Sequence, residues 1–104
     1  MTVIRMLGER GCYTGFEVSG HADAGDKGYD IVCAAISFLA TTCANALESV
    51  ANVQVEAILQ DGYLKAEAAQ ANDTTQIILR TFYQGANDLS QTYPKHVRLI
   101  ELSN

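Results

Sequence analysis

A chain of 104 residues, 48% hydrophobic and 18% charged, has apolar material for one modest core and is too balanced in composition for a disordered chain. Its net charge of −5 and isoelectric point near 4.7 argue against nucleic-acid binding, which asks for a basic face; they suit a basic protein or peptide as partner, and equally suit plain solubility. No uninterrupted run of ~18 apolar residues and no cationic segment leading into an apolar signal core is present, so no membrane span and no secretory leader is expected, and the expected compartment is the cytoplasm.

Residues 2–8 suit a strand, with β-branched Val3 and Ile4 and side chains that alternate in character. Glu9-Arg10-Gly11 is a turn, and Cys12 to Ser19 is the returning strand, with Gly15 as a candidate bulge. Residues 20–29 are expected to be loop, with Gly20, Gly25 and Gly28 as turn residues that let it open and close. Asp30 is the expected N-cap of a helix, because Val32, Ile36, Leu39, Cys43, Ala46 or Leu47, and Val50 then recur at steps of three and four. Asn52 is a plausible stop. Residues 53–59 alternate as a half-exposed strand, Asp61-Gly62 is a strong hairpin signal, and residues 63–68 pair back. Asn72 or Asp73 caps a second helix, Asp73 to Gln76 has capping-box spacing, and Ile78, Phe82, Ala86 and Leu89 form its buried stripe. Pro94 ends that region, and residues 96–102 make a closing strand.

The order is ββαββαβ. Two hairpins imply a mostly antiparallel sheet packed with two helices, an α+β fold in a single domain over 1–104.

The chemistry is concentrated between residues 20 and 37. Three cysteines with no Cys-x-x-Cys do not make a disulfide framework and leave at least one thiol free. With Asp30 as cap, Cys33 falls in the first turn of the first helix, and His21 precedes it by a loop long enough to fold back. A cysteine attacks as the thiolate, and a free thiol of pKa ~8.5 is mostly protonated at neutral pH. A helix dipole favours an anion by only ~0.3–1 kcal/mol, less than one pKa unit, and a charged Asp30 nearby would oppose it. A contacting imidazolium can do more, and His21 is the nearby candidate. Cys33 as nucleophile, His21 as base, and backbone N–H groups of the helix start as oxyanion donors are the parts of a peptidase site; on spacing alone, a loop histidine and a small buried helix cysteine stand as the alternative. Asp30 either caps the helix or orients His21. Ser37, one turn beyond Cys33, lines the site or bonds its own helix backbone.

The rest reads as scaffold. Cys43 sits on the buried stripe, Cys12 lies in a strand, and His96 begins one. Scattered His and Cys positions give no paired-ligand spacing for a metal, and no cofactor is expected.

Gly20-His21-Ala22 followed by Gly28-Tyr29-Asp30-Ile31-Val32-Cys33-Ala34-Ala35-Ile36-Ser37 resembles the ribosomal-processing cysteine protease family Prp. The resemblance implies a His21–Cys33 dyad with Asp30 and Ser37 in support. It implies a homodimeric cytoplasmic endopeptidase that removes a short N-terminal extension from a large-subunit ribosomal protein, cutting after a Phe-Phe pair. Two other readings stand beside it. One is a non-catalytic dimeric module that binds the extension during ribosome assembly. The other is a redox or acyl-transfer thiol protein.

Overall fold

The computed structural model describes residues 1–20 and 27–102, and the side chains of 27–30 lie outside that description. Strand β1 (Thr2–Glu9) turns through Arg10 and Gly11, both at positive φ, into β2 (Cys12–Ser19). Helix α1 (Lys27–Ser49) follows, then the hairpin β3 (Val55–Gln60) and β4 (Tyr63–Ala68), helix α2 (Asp73–Thr92), and β5 (Val97–Ile100). The strands form one sheet in the order β3-β4-β2-β1-β5. Three pairings are antiparallel; β5 alone runs parallel to β1. The fold is the expected α+β arrangement of a mostly antiparallel sheet with two helices.

Cross-strand partners share a face of a sheet. Ile4 pairs with Val18, Val18 with Leu64, Met6 with Phe16, and Phe16 with Ala66. This face is the apolar one, and both helices pack on it through one cluster that includes Val32, Ile36, Leu47, Leu79 and Phe82. At its centre Phe16 of β2 stacks on Phe82 of α2, with ring centroids 3.8 Å apart. The opposite face carries polar pairs: Arg5 with Glu17 at 3.9 Å, Lys65 with Glu67 at 3.8 Å, and a Tyr63 hydroxyl that donates to Glu17.

Several boundaries differ from the sequence reading. Helix α1 begins at Lys27, so Asp30 is not its N-cap but its fourth residue, and Gly28 lies in the helix rather than in a loop. Glycine's low helix propensity, about 1 kcal/mol against alanine, is outweighed by a 23-residue helix packed along a sheet. The helix stops at Ser49, and Asn52 then takes a left-handed φ of 57°. Val50, expected on the buried stripe, is exposed beyond that end. Strand β3 starts at Val55 because the Val53 N–H donates to the Leu47 carbonyl and not to a strand. Strand β5 is four residues, shorter than expected.

Asn72 caps α2. Its side chain accepts from the Thr75 N–H at 2.8 Å, and the Thr75 hydroxyl accepts from the Asn72 N–H at 2.9 Å. The capping box therefore joins Asn72 to Thr75, not Asp73 to Gln76. Gln76 is engaged elsewhere: its amide accepts from the Tyr13 N–H at 3.0 Å and donates to the Tyr13 carbonyl at 2.7 Å. Tyr13 adjoins the irregularity where Leu7 pairs with Gly15 but Gly8 pairs with Tyr13. Thr14 is the extra residue there, next to the expected Gly15 bulge. The fully buried line of α2 is Thr75, Leu79, Phe82 and Ala86, with Ile78 and Leu89 only half-buried at its margins.

By length and composition Ile31–Ser49 would pass for a membrane span. The helix is nonetheless one-sided: Val32, Ile36, Ala40, Cys43 and Leu47 are buried in the core, whereas Ile31 and Phe38 are exposed.

Candidate active site

Cys33 is half-buried and carries a free thiol. It opens into a cleft of about 310 Å³ between α1 and the β3–β4 hairpin. Ser37 and Thr41 line the same cleft. Steps of four residues put all three on one face of α1, a row about 12 Å long at 1.5 Å per residue. Gly20, at the end of β2, also borders the cleft.

Of the expected site residues, Cys33, Ser37 and Gly20 thus meet in one place. His21, Gly25 and the side chain of Asp30 lie outside the described residues. Cys33 is the seventh residue of α1, in its second turn rather than its first. The dipole contribution falls off within the first turn, so it does less for this thiol than the sequence reading supposed. Helical side chains tilt toward the N-terminus, however, so Cys33 projects back toward the first turn of α1.

The far wall was not legible in the sequence. Leu59, Gln60, Gly62 and Leu64 come from the hairpin, and nothing local says that it would face Cys33. The Gly62 carbonyl accepts from the Gly20 N–H at 2.9 Å, which ties the hairpin turn to the residue before His21. Gly20 has φ +121°, and a Cβ there would lie 2.3 Å from the Met1 carbonyl oxygen. Backbone cannot yield cheaply at that distance, and the φ is itself strained for any side chain. Gly20→Ala is therefore expected to lower peptidase activity at least about 10-fold and to cost about 1–3 kcal/mol of stability. Unaltered activity and melting temperature would contradict the tie.

Burial raises the Cys43 thiol above its ordinary value of 9.0. The folded state then keeps that proton when the unfolded chain releases it. Stability is fully present below pH 9.0 and falls as pH rises beyond it. Denaturant titrations at pH 8 and pH 10 check the sign. Cys43→Ala should flatten that slope, and native alkylation should reach Cys33 and Cys12 but not Cys43. Among the described residues no three of His, Cys, Asp and Glu converge as metal ligands would.

A free, half-buried thiol that opens into a cleft is what an enzyme working through a cysteine nucleophile requires. Residues 1–98 match the family of the cysteine protease Prp. The ribosomal processing cysteine protease Prp of Staphylococcus aureus (strain NCTC 8325 / PS 47) is 28% identical over 102 residues, covering 95% of this chain and 96% of that protein. Crystal structures of an essential ribosomal processing protease Prp from S. aureus are similar throughout. One, with a covalently linked product peptide, has a TM-score of 0.86 and 26% identity and covers 98% of this chain and 100% of that one. Another, with a substrate peptide, has a TM-score of 0.82 and 25% identity at the same coverage. The chain belongs to the Prp family and is a cysteine protease.

Proposed function

We propose that this chain, acting as one catalytic domain, removes a short N-terminal extension from a large-subunit ribosomal protein, with Cys33 as nucleophile and His21 as base. The observation that carries this reading is the Cys33 thiol at one end of a groove that follows α1 past Ser37. His21 takes the Cys33 proton, and the sulfur forms a bond to the scissile carbonyl carbon. The carbonyl π electrons move onto oxygen, and in this reading backbone N–H groups at the start of α1 donate hydrogen bonds to that oxyanion. The C–N bond breaks as His21 returns the proton to the departing amine. Water, deprotonated by the same imidazole, then cleaves the thioester and regenerates the thiol. In this reading Asp30 orients His21, and Ser37 borders the path of the peptide. Support for the substrate comes from the S. aureus relative, a ribosomal processing protease seen with a substrate peptide. The acidic balance of this chain suits a basic ribosomal protein. In this reading the enzyme is a cytoplasmic homodimer.

The test is incubation of the full chain with the ribosomal protein precursor, read by mass spectrometry, for wild type, His21→Ala and Cys33→Ala. One defined cut that needs both residues is expected. Extension binding with no cut by wild type would favour a ribosome-assembly binding module. A modified or peroxide-sensitive Cys33 with no cut would favour a redox thiol.

A further inference from the structure

Leu59 is an apolar residue in a place where packing does not require one. It is the penultimate residue of the edge strand β3 and is 80% exposed. Its cross-strand partner is Leu64, which in turn pairs with Val18. Leu59 therefore points to the helix-bearing face, but α1 does not cover it. The gap between them is the cleft that holds Cys33.

Among the described residues the remaining walls carry no charged side chain. Val18, Ile36, Ala40 and Leu64 line the cleft with Leu59, beside the uncharged polar groups of Ser37, Thr41 and Gln60; such a surface favours an apolar side chain over a charged one. The row from Cys33 to Thr41 spans about 12 Å. An extended peptide at about 3.3 Å per residue would lay some four residues along it. The occupant that fits by continuity with the reactive thiol is the substrate chain itself.

We propose that Leu59 is a specificity-determining residue that closes over an apolar side chain of the substrate within about four residues of the cleaved bond. This rests on the processing-peptidase reading above. The hairpin grips because it is rigid: Asp61-Gly62 makes a tight turn with Gly62 at φ +74°, and the Gly62 carbonyl is held by the Gly20 N–H.

The test uses peptides spanning the processed junction, each with one apolar residue near the cut changed to alanine, assayed with wild type and Leu59→Asn. Wild type should discriminate against one of these alanine peptides. Leu59→Asn should lose about 10-fold in kcat/KM on the parent peptide, mostly through KM, and should lose that discrimination. Its Cys33 should alkylate with iodoacetamide at the wild-type rate, since the thiol is untouched. Wild-type kcat/KM in Leu59→Asn, or an equal loss on every peptide, would overturn the proposal. A change in sedimentation with unchanged peptide preference would reassign Leu59 to a subunit contact. If wild type shows no Cys33-dependent cleavage of any peptide, the underlying reading fails and the proposal with it.

Discussion

Cys33→Ala is expected to lower kcat for peptide cleavage by about 10⁴-fold or more and to leave the melting temperature within about 2 °C of wild type. The two halves have separate causes. Removing the sulfur removes the covalent route, and no neighbouring group on α1 replaces it: Ser37 and Thr41 are hydroxyls a turn and two turns away, with no base assigned to either. The stability half follows from position. Cys33 is only half-buried at the edge of a cleft, and alanine is a good helix former. Peptide binding should survive, because the groove is built from side chains other than the thiol. His21→Ala should cost less, about 10²–10⁴-fold, and part of that loss should return as pH is raised, when hydroxide can take the proton that the imidazole took. Stopped-flow or mass-spectrometric rates with thermal melts on the same samples decide the matter. Substantial turnover in Cys33→Ala would remove the thiol from the mechanism.

Phe82→Ala is expected to be the most destabilising single change. Phe82 and Phe16 are both at 0% exposure and lie in stacked contact. Truncation removes the aromatic transfer energy and leaves a cavity between β2 and α2, together about 3–5 kcal/mol. A domain of this size has about 5–15 kcal/mol in all, so the melting temperature should fall by about 15 °C or more. Ile77, a neighbour in sequence, is 63% exposed, and Ile77→Ala should stay within about 0.5 kcal/mol. Because Cys33 stands on α1, residual folded Phe82→Ala at low temperature should keep most of its specific activity. A drop below 1 kcal/mol by denaturant titration would mean that the stack is not the keystone of the sheet–α2 contact.

The same contrast between local pattern and remote contact divides what could be read from the residues. Alternation and 3.6-residue spacing are properties of short segments, and they marked all seven elements, the Asp61-Gly62 turn, and the shared helix face of Cys33 and Ser37. The block from Gly20 to Ser37 carried the family resemblance in the same way, as a run of contiguous residues. Ends and partners are different, because they depend on residues far along the chain. Helix α1 runs back through Gly28 because extending a helix already formed outweighs the low propensity of one residue. Gln76 leaves the expected capping box because the Tyr13 backbone, 63 residues away, offers it two hydrogen bonds. Leu79 rather than Ile78 is buried because the orientation of α2 is set by Phe16 and α1.

By itself, then, the sequence determined the order of elements, the helix face that Cys33 shares with Ser37, and the class of chemistry, all of which rest on neighbours within a few turns. Tertiary structure alone decided that β5 lies parallel beside β1, and that the hairpin stands opposite Cys33 to make a groove. Those pairings are chosen by which apolar faces can cover one another once the whole chain is in place, and no single segment carries that information.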